Sequence, residues 1–333
     1  MTDTSAAPDL KSSIDHWLVL FDDTFAEIEL PLPKRPFETV MLLIESGAFE
    51  LRVSNATVDL SNPWDHVAAP WFRILYAAAK EWYVDRYGAK AMESGGNPPI
   101  CGVTLIRGAP FVLQVPMHRT QIVEEGRLAW MYFEAGIGEG ENPVLWVVAP
   151  PNFELMEAAQ RHTDIANLTL VSERLRKINF QLLGAGQDDV SAGFRFAIRN
   201  YLETAAQRMA CGTANLGPAW FDLQMAIETA LKLALHTVRN DYPRIHNIVD
   251  LFTRLSGDGV SFDLSKFDTW PEFSEMSGLR YAQGYSGSLA DVFKAYLLAL
   301  DAVIAALSVL LPVLGSGAGF LLKPAPWLVE KDA

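Results

Sequence analysis

The chain has 333 residues, half of them hydrophobic and a fifth charged, a balance that excludes a disordered chain and fits one or two domains. Its formal net charge of −13 repels a phosphate backbone at long range, so non-specific nucleic-acid binding is disfavoured and DNA is not expected as a partner. The only cysteines, Cys101 and Cys211, form neither a disulfide framework nor a metal-ligand spacing, so no metal or cofactor is expected and a reducing cytoplasm is the default location.

Residues 1–9 are small and polar and carry no apolar signal core. Helical periods follow over residues 14–28 and 37–44, separated by Pro31, Pro33 and Pro36. Asp22-Asp23 reads as a solvated face or a helix end. Short extended segments are expected near 49–53 and 56–60. Pro63 then opens a helical run over 64–87, with Asn62 available as its cap and Pro70 positioned to kink or restart it. His66 and Asp65 read as first-turn polar residues. A turn-rich patch occupies 94–99. Beyond it, residues 102–106, 111–115, 128–133 and 144–148 have the composition of strands, and their succession without helices predicts an antiparallel meander. The glycines at 136, 138 and 140 form a turn rather than a phosphate loop, because Glu139 and Glu141 repel phosphate. A further helix is expected from Asn152 to about Leu183. His118-Arg119 sits at a strand end, and His162, beside Arg161 and two residues from Asp164, belongs on a surface.

The stretch 184–189 looks like a domain junction. The expected organisation is an α+β domain over 1–186, an all-α four-helix bundle over 187–314 and an apolar tail over 315–333, which places the two cysteines in different domains. The first part holds 15 basic and 24 acidic residues against 12 and 16 after it, making it the poorer nucleic-acid candidate. Four periodic segments follow the junction. The first repeats apolar residues from Phe194 to Met209 at helical spacing. The second, 219–236, is apolar nearly all round except for the stripe Gln224, Glu228 and Lys232. Such a helix belongs in a bundle centre or a dimer interface, with Glu228 and Lys232 spaced as a surface pair. The third covers 245–255 and the fourth begins at Leu289. Between these two lies a loop of about 30 residues, 257–287, a length that is often functional. The uncharged stretch 302–322 is long enough for a membrane span, but Asp291, Lys294 and Asp301 upstream and Pro312 within it favour a buried last helix, with no membrane.

The stripe Gln224-x-x-x-Glu228-x-x-x-Lys232, His246 ahead of the third helix, and Arg280-Tyr281 ahead of the last helix together resemble the HEPN domain, over about residues 190–312. The nucleotidyltransferase arrangement that accompanies many members, Gly-Ser followed by Asp-x-Asp, is absent, and the first part of the chain resembles no family. The resemblance implies a helical bundle that homodimerises and binds a nucleotide, RNA or a protein partner, in a stress, toxin–antitoxin or defence setting. Active members carry Arg-x(4–6)-His, in which His acts as acid or base on a 2′-hydroxyl and Arg stabilises charge on phosphate. Arg239 and His246 satisfy that spacing literally but bracket the wrong loop, and Pro243 between them breaks a shared helical face. The expectation is therefore a non-catalytic binding domain with a pocket at Arg239, Arg244, His246, Arg280 and Tyr281. The alternatives are a metal-independent endoribonuclease using Arg239 and His246, and a purely structural dimerisation module.

Overall fold

The structure, a computed structural model, describes residues 10–47, 50–53, 56–92, 99–124, 128–281, 285, 287–310 and 315–322. The architecture is a mixed α+β one with helices predominating. The chain forms two compact units that part between Gly96 and Asn97. The turn-rich patch expected at 94–99 falls almost entirely outside the described residues, as do residues 1–9, Pro312 and most of the expected tail.

The first unit contains α1 (Leu10–Glu27), α2 (Arg35–Glu45), the two-residue strands β1 (Arg52–Val53) and β2 (Ala56–Thr57), and α3 (Pro70–Tyr87). Pro70 restarts the helix rather than kinking it: residues 63–66 form a separate 3-10 turn, and the Asn62 side chain makes no capping bond. Asp22 is not on a solvated face. It is buried, paired with Arg35 Nη1 at 2.7 Å, and accepts a hydrogen bond from the Tyr87 hydroxyl, as a carboxylate drawn from water requires. Burial pushes the neighbouring Tyr83 hydroxyl up to about 12.

The second unit begins with a hairpin, β3 (Ile100–Ile106) and β4 (Ala109–Val115). Its turn, Arg107-Gly108, has positive φ at both residues, the geometry that matches strand twist in a two-residue loop. Next come β5 (Arg119–Glu124) and β6 (Leu128–Phe133), then α4 (Ala158–Leu182), α5 (Asp189–Ala210), α6 (Leu216–Arg239), α7 (Ile248–Leu255), α8 (Phe273–Leu279), α9 (Leu289–Ala306) and β7 (Ala318–Leu322). The strands are antiparallel but do not make one meander: β3 pairs with β4, and β5, β6 and β7 form a separate sheet. The expected strand 144–148 is instead a 3-10 turn over 143–146 with a single bridge from Val147 to Leu113, consistent with Pro143 at its start. β7 was expected to be tail. Asn152 caps only a short 3-10 turn, and α4 starts at Ala158.

A boundary at residue 186 is not where the compact units divide. One continuous apolar core takes in Ile100 and Val103 of β3, Leu168 and Leu175 of α4, Ile198 and Leu202 of α5, Leu223 and Leu231 of α6, and Tyr296 and Val303 of α9. Cys101 and Cys211 accordingly share a unit, both as free thiols. The segment Leu289–Val309 is long and apolar enough to cross a membrane by length and composition, yet more than half of its most apolar 18-residue window is buried within the protein.

Gly102 is a point of close approach within that core. A Cβ there would overlap Leu175 Cδ1 and lie 2.7 Å from the Tyr296 hydroxyl, which accepts a hydrogen bond from the Val103 amide. Gly102→Ala is expected to destabilise the protein by about 2 kcal/mol through overpacking, read as a lower urea midpoint with an unchanged slope.

Candidate functional site

The stripe on α6 faces inward. Gln224 is 3 % and Glu228 2 % exposed, so both are enclosed and each must find partners; the expected Glu228–Lys232 pair forms, but away from the open surface. Both ends of the Gln224 amide are used: its nitrogen donates to the His246 carbonyl at 2.9 Å and its oxygen accepts from Trp270 Nε1 at 2.8 Å. Glu228 accepts from Lys232 Nζ at 2.7 Å and from His246 Nδ1 at 3.1 Å. An ionised carboxylate only accepts, so the proton lies on Nδ1 and Nε2 is left as the acceptor.

His246 reaches this position because α6 ends at Asn240, whose left-handed conformation closes the helix (φ 54°). The chain then runs without regular secondary structure to Asn247, which caps α7 by accepting from the Asp250 amide. Half of the His246 side chain stays exposed, at 49 %, and its ring stacks on Phe273 with centroids 4.2 Å apart and planes 6° from parallel. Trp270 meets Trp220 edge-on at 4.7 Å, and Trp220 donates to the Tyr285 hydroxyl at 2.9 Å. Together Gln224, His246, Trp270, Glu272 and Phe273 line a cavity of about 410 Å³, within the size range of small-molecule sites. The long loop, 257–287, supplies most of one wall and contains α8.

The other expected site residues lie elsewhere. Arg239 donates to the Arg254 carbonyl and to Asp258, both at 2.6 Å. That is the C-terminal end of α7, whereas His246 lies just before its N-terminal end, so within one chain the Arg239 guanidinium is held away from the imidazole. Arg244 is exposed two residues before His246. Arg280, just past the end of α8, lies over the Phe221 ring at 5.3 Å, and Tyr281 is exposed. His162 is exposed, while His118 has its pKa lowered by burial and then by the charge of Arg176, with Glu141 opposing. Among the described residues no group of three His, Cys, Asp or Glu is placed to hold a metal ion.

Sequence reasoning missed Trp270 and Phe273. Their signal was present as an aromatic pair around Pro271 in a loop already marked by its length. It also missed Asp222, one residue from Phe221. Asp222 is buried and faces Arg208 at 3.2 Å. Burial pushes its pKa up to about 6, against the opposing pull of Arg208 and then Arg280.

No protein-family model, curated protein or solved structure matches the chain.

Two outcomes follow from these charges. Glu228→Ala strands the Lys232 ammonium in a nearly enclosed position and is expected to cost about 3 kcal/mol, measured by chemical denaturation at neutral pH. For Asp222 the folded pKa lies above the unfolded value, so the folded state holds the proton more tightly. Its contribution to stability is present below about pH 4 and is lost as pH rises to about 6. Asp222→Asn is therefore expected to raise stability at pH 7 by about 1 kcal/mol or more and to leave it nearly unchanged near pH 4. Urea midpoints at the two pH values check the sign.

Proposed function

We propose that this protein is a non-catalytic, HEPN-like helical-bundle protein whose groove at His246 and Phe273 binds the base of a mononucleotide. The bundle consists of α5, α6, α7 and α9, and its central helix, α6, carries the Gln224–Glu228–Lys232 stripe. The observation that carries this reading is the parallel stack of His246 on Phe273 at the edge of the cavity. A half-exposed imidazole held flat by a carboxylate on one edge and a phenyl ring on one face presents a rigid planar surface, which heteroaromatic bases stack on. Gln224, Asn247 and Ser274 supply polar groups around the cavity. Glu272 lines it too, so the phosphate belongs outside, toward exposed Arg244.

The expected result is saturable quenching of tryptophan fluorescence by AMP in the intact protein, through Trp270. His246→Ala and Phe273→Ala, each removing half of the stack, are expected to weaken binding about tenfold, as loss of one stacking contact of about 1–3 kcal/mol requires. Absence of quenching in the wild-type protein, or full affinity in both variants, removes the base-binding reading.

A second reading rests on a different feature of the same residue. The Glu228–His246 pair has the form of a carboxylate-oriented general base, with Nε2 available to take a proton from a 2′-hydroxyl. Here Glu228, rather than Arg239, is the partner of His246. RNA cleavage in the presence of chelator that disappears in His246→Ala favours this ribonuclease. No cleavage by the wild-type protein leaves the binding function.

A further inference from the structure

A second cavity, of about 460 Å³, lies between the C-terminal end of α4, one face of α5 and the open end of the β3–β4 hairpin. Its residues belong wholly to the second unit, and none of them lines the groove at His246. Three observations set its chemistry. Asn179, on α4, is 1 % exposed, and neither its amide nitrogen nor its amide oxygen has a hydrogen-bond partner among the described residues. Leaving such atoms unpaired is costly, and a group retained in that condition calls for an explanation. Phe196, on α5, is 74 % exposed although it borders the cavity. Arg195 and Arg199 reach the cavity from the same face as Phe196, and burial lowers the pKa of Arg199 against the opposing pull of Cys101 and Glu203.

We propose that this cavity binds an amphipathic monocarboxylate, with its carboxylate at Arg195, Arg199 and the Asn179 amide and its apolar body along Leu182, Met117 and Phe196. The charge count selects the head group. The charged residues that line the cavity are Arg195, Arg199 and one carboxylate, Glu203, which accepts from the Gln207 amide. The surplus matches a monoanion, whereas a phosphate dianion would meet Glu203 as well as the negative charge of the whole chain. A planar guanidinium is suited to a carboxylate, and Arg195 has no carboxylate partner among the described residues. The apolar wall selects the body, because an alkyl chain laid against Phe196 would cover an exposed aromatic side chain.

The test uses octanoate and its neutral analogue octanol on the full-length protein. The expected result is a saturable rise in Tm with octanoate that octanol does not produce. Arg195→Gln removes a partly exposed charge and is expected to weaken octanoate binding by about tenfold or more. Asn179→Leu replaces two unpaired polar atoms with an apolar side chain of similar size, so its ligand-free Tm is expected to equal or exceed that of the wild type while its response to octanoate is lost. If Asn179→Leu does not fold, Arg195→Gln decides. The proposal is overturned by the absence of a saturable octanoate response, by an equal response to octanol, or by wild-type octanoate affinity in any variant that folds.

Discussion

A carboxylate enclosed on an apolar helix has to be neutralised where it sits, and in the second unit that requirement organises everything above α6. Glu228 is all but inaccessible to solvent, and its two hydrogen-bonding neighbours differ in what they hold. Lys232 sits four residues along the same helix and neutralises the charge locally. His246 comes from the segment after α6, so its bond to Glu228 ties that segment down. Gln224, one turn earlier, repeats the arrangement with neutral groups, holding the His246 carbonyl with one end of its amide and the Trp270 indole with the other. Two turns of α6 thereby fix the chain on both sides of α7. The groove at His246 is the space left between the segments so fixed.

The same unit shows why a helical stretch of sequence cannot be separated from the strands before it. The β3–β4 hairpin turns Ile100, Val103, Leu113 and Val115 into the core that α4, α5, α6 and α9 share. The Tyr296 hydroxyl, fully buried on α9, finds its partner at the Val103 amide, and burial raises its pKa above the ordinary phenol range. Gly102 leaves room for that ring. A hydroxyl buried without the amide would cost free energy that the apolar contacts would have to offset, so hairpin and last helix stabilise one another. Arg174 on α4 reinforces the connection from outside the core through both oxygens of Asp301 on α9.

Periodicity made the helices legible. The runs from Phe194, from Ala219 and from Leu289 appear as α5, α6 and α9, because a 3.6-residue repeat has few other solutions once one face must be buried. Polar residues were harder to place. Asp22 looked like a helix-end acid and is buried against Arg35, since nothing local marks a partner thirteen residues away. Gln224, Glu228 and Lys232 stood out for their spacing, but their direction depended on what covers α6. The covering segment, with Trp270 and Phe273, is aperiodic and its path follows from side-chain bonds rather than from local preference. The division of the chain was misplaced for a related reason. Gly184 to Asp189 has the composition of a linker, yet Ala185 within it is buried in the shared core and Asp188 caps α5 by accepting from the Ser191 amide. A glycine-rich turn between two helices and a domain linker share a composition and differ only in what packs beside them.

Charge pairing limits which anions the second unit can take. Arg119, Arg174, Arg176, Arg208 and Arg239 are each bound to a carboxylate at 3.2 Å or less. Arg176 is the extreme case: it is fully buried, paired with Glu141 and stacked over Trp146. Cations already neutralised in this way add little to the field that an approaching polyanion meets. An extended RNA backbone needs a continuous basic track to overcome the repulsion of an acidic protein, and these arginines do not supply one. A small ligand needs only one or two uncommitted guanidinium groups beside an apolar surface. Arg244 near the His246–Phe273 stack and Arg195 beside Phe196, neither of them paired with a carboxylate among the described residues, each meet that requirement. The five paired arginines therefore add little to the attraction of a polymer, and the two proposed ligands each rely on a guanidinium outside those pairs.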